Sequence, residues 1–77
     1  SMGEYKKAAV LQEEGFNGRM KTLGPSHPKT IESLKNIIDI YRALNFIEPD
    51  VDHEATVAAY QTQLDAIEDK ANQVAAP

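Results

Sequence analysis

The residues best suited to chemistry in this chain lie together in EPDVDHE, Glu48 to Glu54, where four carboxylates and a histidine share seven positions. Asp50, Asp52 and Glu54 have the alternate spacing that opens a calcium-binding loop. Such a loop needs a glycine at its sixth position for the sharp turn and a bidentate Glu at its twelfth, and here those positions hold Ala55 and Gln61. An EF-hand is excluded. His53 with Asp50 could hold a metal weakly, but zinc collects three or four convergent ligands and nothing in the spacing brings His27 near. The cluster is expected to cap and solvate a loop, with no metal site and no cofactor. Covalent catalysis fares no better. Ser26 and Ser33 lack the G-x-S-x-G turn that exposes a nucleophile, and neither histidine has a third group to orient it. The glycines at 15, 18 and 24 precede no strand-helix unit, so there is no phosphate loop or dinucleotide fingerprint. No catalytic residue is assigned, and the chain is not expected to be an enzyme.

The elements that carry these residues are bounded by length and composition. At 77 residues the chain is at most one domain with a thin core. Hydrophobic residues make up 42% and aromatic residues 6%, which fits an Ala- and Ile-rich helical protein rather than a disordered tail. There is no cysteine, hence no disulfide framework and no thiolate ligand or nucleophile, and a reducing compartment is compatible with this. No run approaches the roughly 18 apolar residues of a membrane span, and the N-terminus lacks the apolar core of a signal peptide. A cytoplasmic protein with no membrane partner is expected. Ser1-Met2 reads as a remnant of tag cleavage, leaving 3–77 as a single helical domain. The net charge of −4 is unevenly spread: residues 1–47 carry seven Lys or Arg against five Asp or Glu, and residues 48–77 carry one against seven. Nucleic acid demands a clustered basic face, and this excess is too small to make one.

Three helices are expected, over about 4–22, 27–45 and 52–74. In the first, Tyr5, Ala8, Ala9, Phe16, Met20 and Leu23 recur at helical spacing, with Gln12 the exception. Gly15-Phe16-Asn17-Gly18 is its weak point, and a break there competes with a continuous helix, because each interior glycine costs about 1 kcal/mol. Gly24-Pro25 ends it. Ser26 or His27 then leads into Pro28, whose missing N–H is not needed in a first turn. The second helix carries Ile31, Leu34, Ile37, Ile38, Ile40, Tyr41 and Leu44, more than one narrow stripe, so it should lie in the middle with neighbours on two sides. Glu48-Pro49-Asp50 breaks the chain again, and Asp50 or Asp52 is available to cap the third helix. That helix places Val57, Tyr60, Leu64, Ile67, Ala71 and Val74 at heptad a and d spacing. An ordinary packed helix and a coiled-coil seam to another chain both fit, though fewer than three full heptads is short for the second. The tail from Asn72 to Pro77 is expected to fray. Tyr5, Tyr41 and Tyr60 are assigned to core or groove-edge packing.

Three segments, GEYKKA (Gly3 to Ala8), LGPSHPKT (Leu23 to Thr30) and SLKNIIDIYRALN (Ser33 to Asn45), carry a resemblance to the tetratricopeptide repeat in its long, kinesin-light-chain-like form. That form reads G-x-Y-x-x-A, then L-G-x-x-H-P-x-T, then S-L-x-N-L-A-x-L-Y-x-x-x-G. Tyr5 and Leu34 stand 29 residues apart, the separation implied by a repeat of about 42 residues rather than the commoner 34. In this register Leu23 to Thr30 is the border between the second helix of one repeat and the first helix of the next. Gly15 falls where the family has a small residue for close helix contact, and His27-Pro28 is a helix-entry feature. The match covers residues 3–45. Ile38 replaces a usual small residue, Asn45 replaces the closing glycine, and the expected Y-x-x-A is displaced beyond Phe46. Ala58-Ala59-Tyr60 would match a following second helix if about eight residues, Ile47 to Glu54, are inserted; alternatively DHEAT (Asp52 to Thr56) echoes SHPKT (Ser26 to Thr30) and the third helix is a degenerate first helix.

The resemblance implies an all-α, antiparallel three-helix segment of tetratricopeptide type, and a protein-interaction scaffold whose concave face, lined by first helices, holds a peptide or partner domain. The matching first-helix residues are Asn36, with Ser33, Lys35, Asp39 and Arg42 on exposed neighbouring turns. Such units bury their apolar faces on one another and need about three for stability, while this chain holds roughly one and a half. It could be the C-terminal part of a longer array with the acidic third helix as a solubilising cap, a small protein folded back into a three-helix bundle, or a chain that assembles with its own copies. The first is favoured. The alternative is a self-associating helical protein whose seam of Val57, Tyr60, Leu64, Ile67 and Ala71 makes a homodimer.

Overall fold

A computed structural model describes residues 2–75, with the side chains of residues 3–73. The chain is all-α: α1 runs Met2–Thr22, α2 Pro28–Ile47 and α3 Glu54–Ala75, and no strand occurs among the described residues. Helix α3 continues through part of the tail expected to fray. Ser1, Ala76 and Pro77 lie outside the described residues, as does the side chain of Val74.

Each helix end has a local cause. Gly24 has φ +88°, a left-handed conformation that costs little without a Cβ, and the N–H groups of Leu23 and Gly24 both donate to the carbonyl of Arg19, at 2.8 and 3.1 Å. His27, not Ser26, caps α2: its backbone is extended and its Nδ1 accepts from the Lys29 N–H at 3.1 Å. Pro28 then occupies the first helical position. At the other end the Glu48 N–H donates to Leu44 at 2.7 Å and closes α2. Asp52 Oδ1 accepts the Glu54 N–H at 2.9 Å, which satisfies a free donor at the start of α3.

Cross-helix pairs give the directions. Going up α1, Lys6 meets Glu48, Glu13 meets Tyr41 and Arg19 meets Ser33; going down α2, Asn45 meets Glu54, Arg42 meets Gln61 and Lys35 meets Glu68. Both junctions are therefore antiparallel. Helix α2 is the middle element, and among the described residues no Cα of α1 lies within 8 Å of a Cα of α3. Phe16 of α1, Leu34, Ile37 and Ile38 of α2, and Leu64 and Ile67 of α3 form the core, with Met20, Ile31, Tyr41, Val57 and Tyr60 packed against it.

Helix α1 is continuous through Gly15-Phe16-Asn17-Gly18. Phe16 is buried, and burying a large apolar side chain is worth about 1.5–3 kcal/mol, enough to offset most of what two interior glycines cost. The expected close contact at Gly15 is absent: apart from its chain neighbours and its own helix backbone, nothing lies within 4 Å of where a Cβ would stand, so this position faces open space.

Candidate interaction surface

Helix α2 buries Thr30, Ser33, Leu34, Ile37, Ile38 and Leu44, a repeat of three and four residues that leaves the opposite side in water. Along that side runs a shallow depression lined by Pro28, Ile31, Glu32, Lys35, Asn36 and Asp39. Ile31 and Asn36 are half-buried and Glu32, Lys35 and Asp39 exposed, so an apolar floor carries a mixed-charge rim. A second groove, at the α2–α3 corner, is lined by Arg42, Asn45, Phe46, Glu54 and Val57. Lys35 Nζ is 3.7 Å from Glu68 Oε2, with both side chains largely in solvent. Arg42 donates to Gln61 Oε1 at 3.4 Å.

Of the residues expected on exposed turns of α2, Lys35, Asn36, Asp39 and Arg42 line these depressions, and Ser33 does not. Ser33 is 2% exposed and its Oγ accepts from Arg19 Nη1 at 2.7 Å. The same nitrogen donates to the Lys29 carbonyl at 2.9 Å. Ser33 is thus an α1–α2 contact, because its position continues the inward period of Thr30, Leu34 and Ile37. The heptad stripe of α3 is also turned inward. Leu64 and Ile67 are in the core, Val57 and Tyr60 are packed against it, and Ala71 is half-buried. Leu64 and Ile67 of that stripe are buried against α2, and Val57, Tyr60 and Ala71 stay partly exposed.

Two polar groups tie the three helices from inside. The Glu13 carboxylate of α1 accepts from the hydroxyl of Tyr41 on α2 at 2.9 Å and from that of Tyr60 on α3. The Tyr41 and Tyr60 rings stack at 6.1 Å, and the His53 ring lies 5.8 Å from that of Tyr41. Burial, then the hydrogen bond and charge of Glu13, push both phenols above their ordinary value of 10.0. At the α2–α3 loop, Glu48 is 3.2 Å from Lys6 Nζ and 3.3 Å from His53 Nε2. Desolvation pushes the Glu48 carboxyl up, and the bonds and charges of Lys6 and His53 outweigh it and draw it below the ordinary carboxylate range.

The Glu48–Glu54 cluster is therefore divided among local tasks. Glu48 binds Lys6 and His53, Asp52 caps, Glu54 accepts from Asn45 Nδ2 at 2.7 Å, and Asp50 is exposed. No three metal-ligating side chains converge among the described residues. No helix among them is long and apolar enough to cross a membrane.

Motif reading missed two contacts, Glu13 and Arg19, and the exposed ring of Phe46. Glu13 was signalled by position, since it lies four residues from Ala9 and three from Phe16 on the inward side of α1. Arg19 follows Phe16 by three in the same way. No family model, curated protein or solved structure matches the chain.

Proposed function

We propose that this chain is a protein-interaction module of tetratricopeptide type, part of a longer helical scaffold, and that its α2 side receives an extended peptide or a segment of a partner domain. One observation carries this reading: the middle helix keeps a continuous uncovered strip, Pro28, Ile31, Glu32, Lys35, Asn36 and Asp39, although both neighbours pack on it. The motif segments between Gly3 and Asn45 support it, because their register makes α2 a first helix, the kind that lines the concave face. A peptide laid along the strip would cover Pro28 and Ile31 and hydrogen-bond to the Asn36 amide, with Lys35 and Asp39 selecting its charge. No catalytic step and no cofactor belong to this reading, and the cytoplasmic setting expected from the sequence goes with it. The seam alternative has less to support it, because Leu64 and Ile67 at the middle of the stripe are buried in the chain's own core.

Selection from a random peptide library against the 77-residue chain tests the proposal, followed by titration of the selected peptide into isotope-labelled protein. Amide shifts should concentrate at Lys35, Asn36 and Asp39. Asn36→Ala should weaken binding by about tenfold, ~1.4 kcal/mol, with an unchanged melting temperature. Shifts concentrated on the outer side of α1, or a library that yields no binder, would overturn it.

A further inference from the structure

Leu44 and Phe46 stand two residues apart in the last turn of α2, and their surroundings are opposite. Leu44 is 1% exposed and Phe46 is 89% exposed, the most exposed large apolar side chain described. Ile47 and Val51 follow it at 41% and 45%. Beside Phe46 is the corner groove formed by Arg42, Asn45, Glu54 and Val57. Val57 gives it an apolar side continuous with the core. Its two charges have opposite sign and come from different helices. Arg42 reaches only a neutral amide, Gln61, at 3.4 Å, and Glu54 is held by the neutral amide of Asn45. Neither is in an ion pair among the described residues.

We infer that this corner is the docking face for a second copy of the same chain, related by a two-fold axis beside Phe46. A two-fold interface is self-complementary, so that if one residue meets another, the second also meets the first across the axis. A patch with an apolar centre, one cation and one anion satisfies that condition when the two charges flank the axis on opposite sides. Rotated on itself, it sets Arg42 of each copy against Glu54 of the other and lays each Phe46 in the facing groove. A partner of uniform charge would leave either Arg42 or Glu54 against a like charge, which is what favours the second copy. The face is distinct from the Pro28–Asp39 strip and stands whether or not a peptide binds there. It is small, so association is weak and reversible.

Sedimentation equilibrium on the 77-residue chain tests it. The wild type should pass from monomer toward dimer between concentrations of about 10 µM and about 1 mM, the range expected of interfaces below the standard size. Phe46→Ser should stay monomeric over that range and keep the dilute melting temperature, because the ring touches little within the monomer. Arg42→Glu and Glu54→Arg should each associate at least tenfold more weakly alone, and an equimolar mixture of the two should recover wild-type association, since both cross-axis pairs are then opposite in sign. A wild type that is monomeric throughout, a Phe46→Ser chain that associates like wild type, or a mixture no stronger than either variant alone would each overturn the two-fold face.

Discussion

The two sides of α2 use one stretch of sequence for opposite ends. Inward, Leu34, Ile37, Ile38 and Leu44 are at most 3% exposed, and its polar groups there are tied to α1, Ser33 to Arg19 and Tyr41 to Glu13. Outward, Lys35, Asp39, Arg42 and Phe46 are exposed, and the contacts they make are long or solvent-screened. This contrast locates the stabilising free energy. Burial and short hydrogen bonds hold the three helices together on one side, and the other side can change with little cost to the fold. A middle helix that is amphipathic in this way can serve as core and as binding surface at once, which a helix covered on all sides cannot.

A pair of truncations puts the contrast under the most severe test. Leu34→Ala leaves a cavity at the centre of the core, and such changes cost about 2–5 kcal/mol. For a chain this size that is a large share of a total stability on the order of 4–12 kcal/mol. Phe46→Ala removes a larger side chain and should change the stability of the dilute monomer by no more than about 0.5 kcal/mol. Urea unfolding of both variants is the measurement. Equal losses would mean that the two sides are not energetically distinct.

Next in size is Glu13, the polar counterpart of the apolar core. Glu13→Gln keeps the shape and one acceptor but replaces two charge-assisted bonds, and an expected loss of about 1–2 kcal/mol allows for partial solvent access. The same contact sets a pH dependence. Burial and Glu13 hold the protons of Tyr41 and Tyr60 beyond the ordinary phenol value of 10.0. The unfolded chain therefore releases protons that the folded chain keeps. This contribution is fully present below about pH 10 and is lost as pH rises through the folded values. Denaturant midpoints at about pH 8 and about pH 11 should fall apart in the wild type and lie closer together in Glu13→Gln. Phenolate absorbance should show both tyrosines ionising earlier in the variant.

How much of this could be read in advance depended on whether a residue's type and its position agreed. Gly24, Pro25 and Pro28 punctuate the chain for reasons internal to their own backbone, and the apolar period of the second helix agrees with its composition, so the all-α order and the middle place of α2 were legible. Ser33 and Glu13 are polar residues at inward positions. Ser33 was expected on an exposed turn and Glu13 was given no place, and only their partners, Arg19 fourteen residues away and Tyr60 forty-seven away, make burial tolerable. The α3 stripe was legible as apolar, but its periodicity could not say whether α2 or another chain covers it. The corner groove joins residues of α2 and α3 that the intervening loop brings together, and it had no signature in either segment.

Thr30 offers a smaller and oppositely signed test on the inward side. It is fully buried, and its hydroxyl has no hydrogen-bond partner. A buried hydroxyl left unpaired carries a desolvation cost of about 1–3 kcal/mol. Valine has nearly the same shape and a similar helix propensity. Thr30→Val should therefore stabilise the chain by about 1 kcal/mol, a rise of roughly 4–8 °C in melting temperature for a domain of this size. A fall of that magnitude would show that the hydroxyl is satisfied in solution.

The smallest expected effect is at the far end of α2, where Lys6 of α1 and His53 of the following loop meet Glu48. This link lies between the two regimes: Glu48's side chain is 10% exposed and that of Lys6 is 56% exposed. The Glu48 carboxyl is drawn below 4.5, so the folded chain stays ionised where the unfolded chain takes up a proton. The sign is opposite to that of the tyrosines. This stabilisation is present above that value and is lost as pH falls through the folded one. Lys6→Gln removes a cation from Glu48, raises its folded value, and should move the acid-unfolding midpoint to higher pH. Because Lys6 is exposed, salt should screen the effect, and the two midpoints should converge at about 1 M salt, where the screening length is about 3 Å. A difference that persists unchanged in salt would place Lys6 with the inward contacts of α1, and the division between the two sides of α2 would not extend to its end.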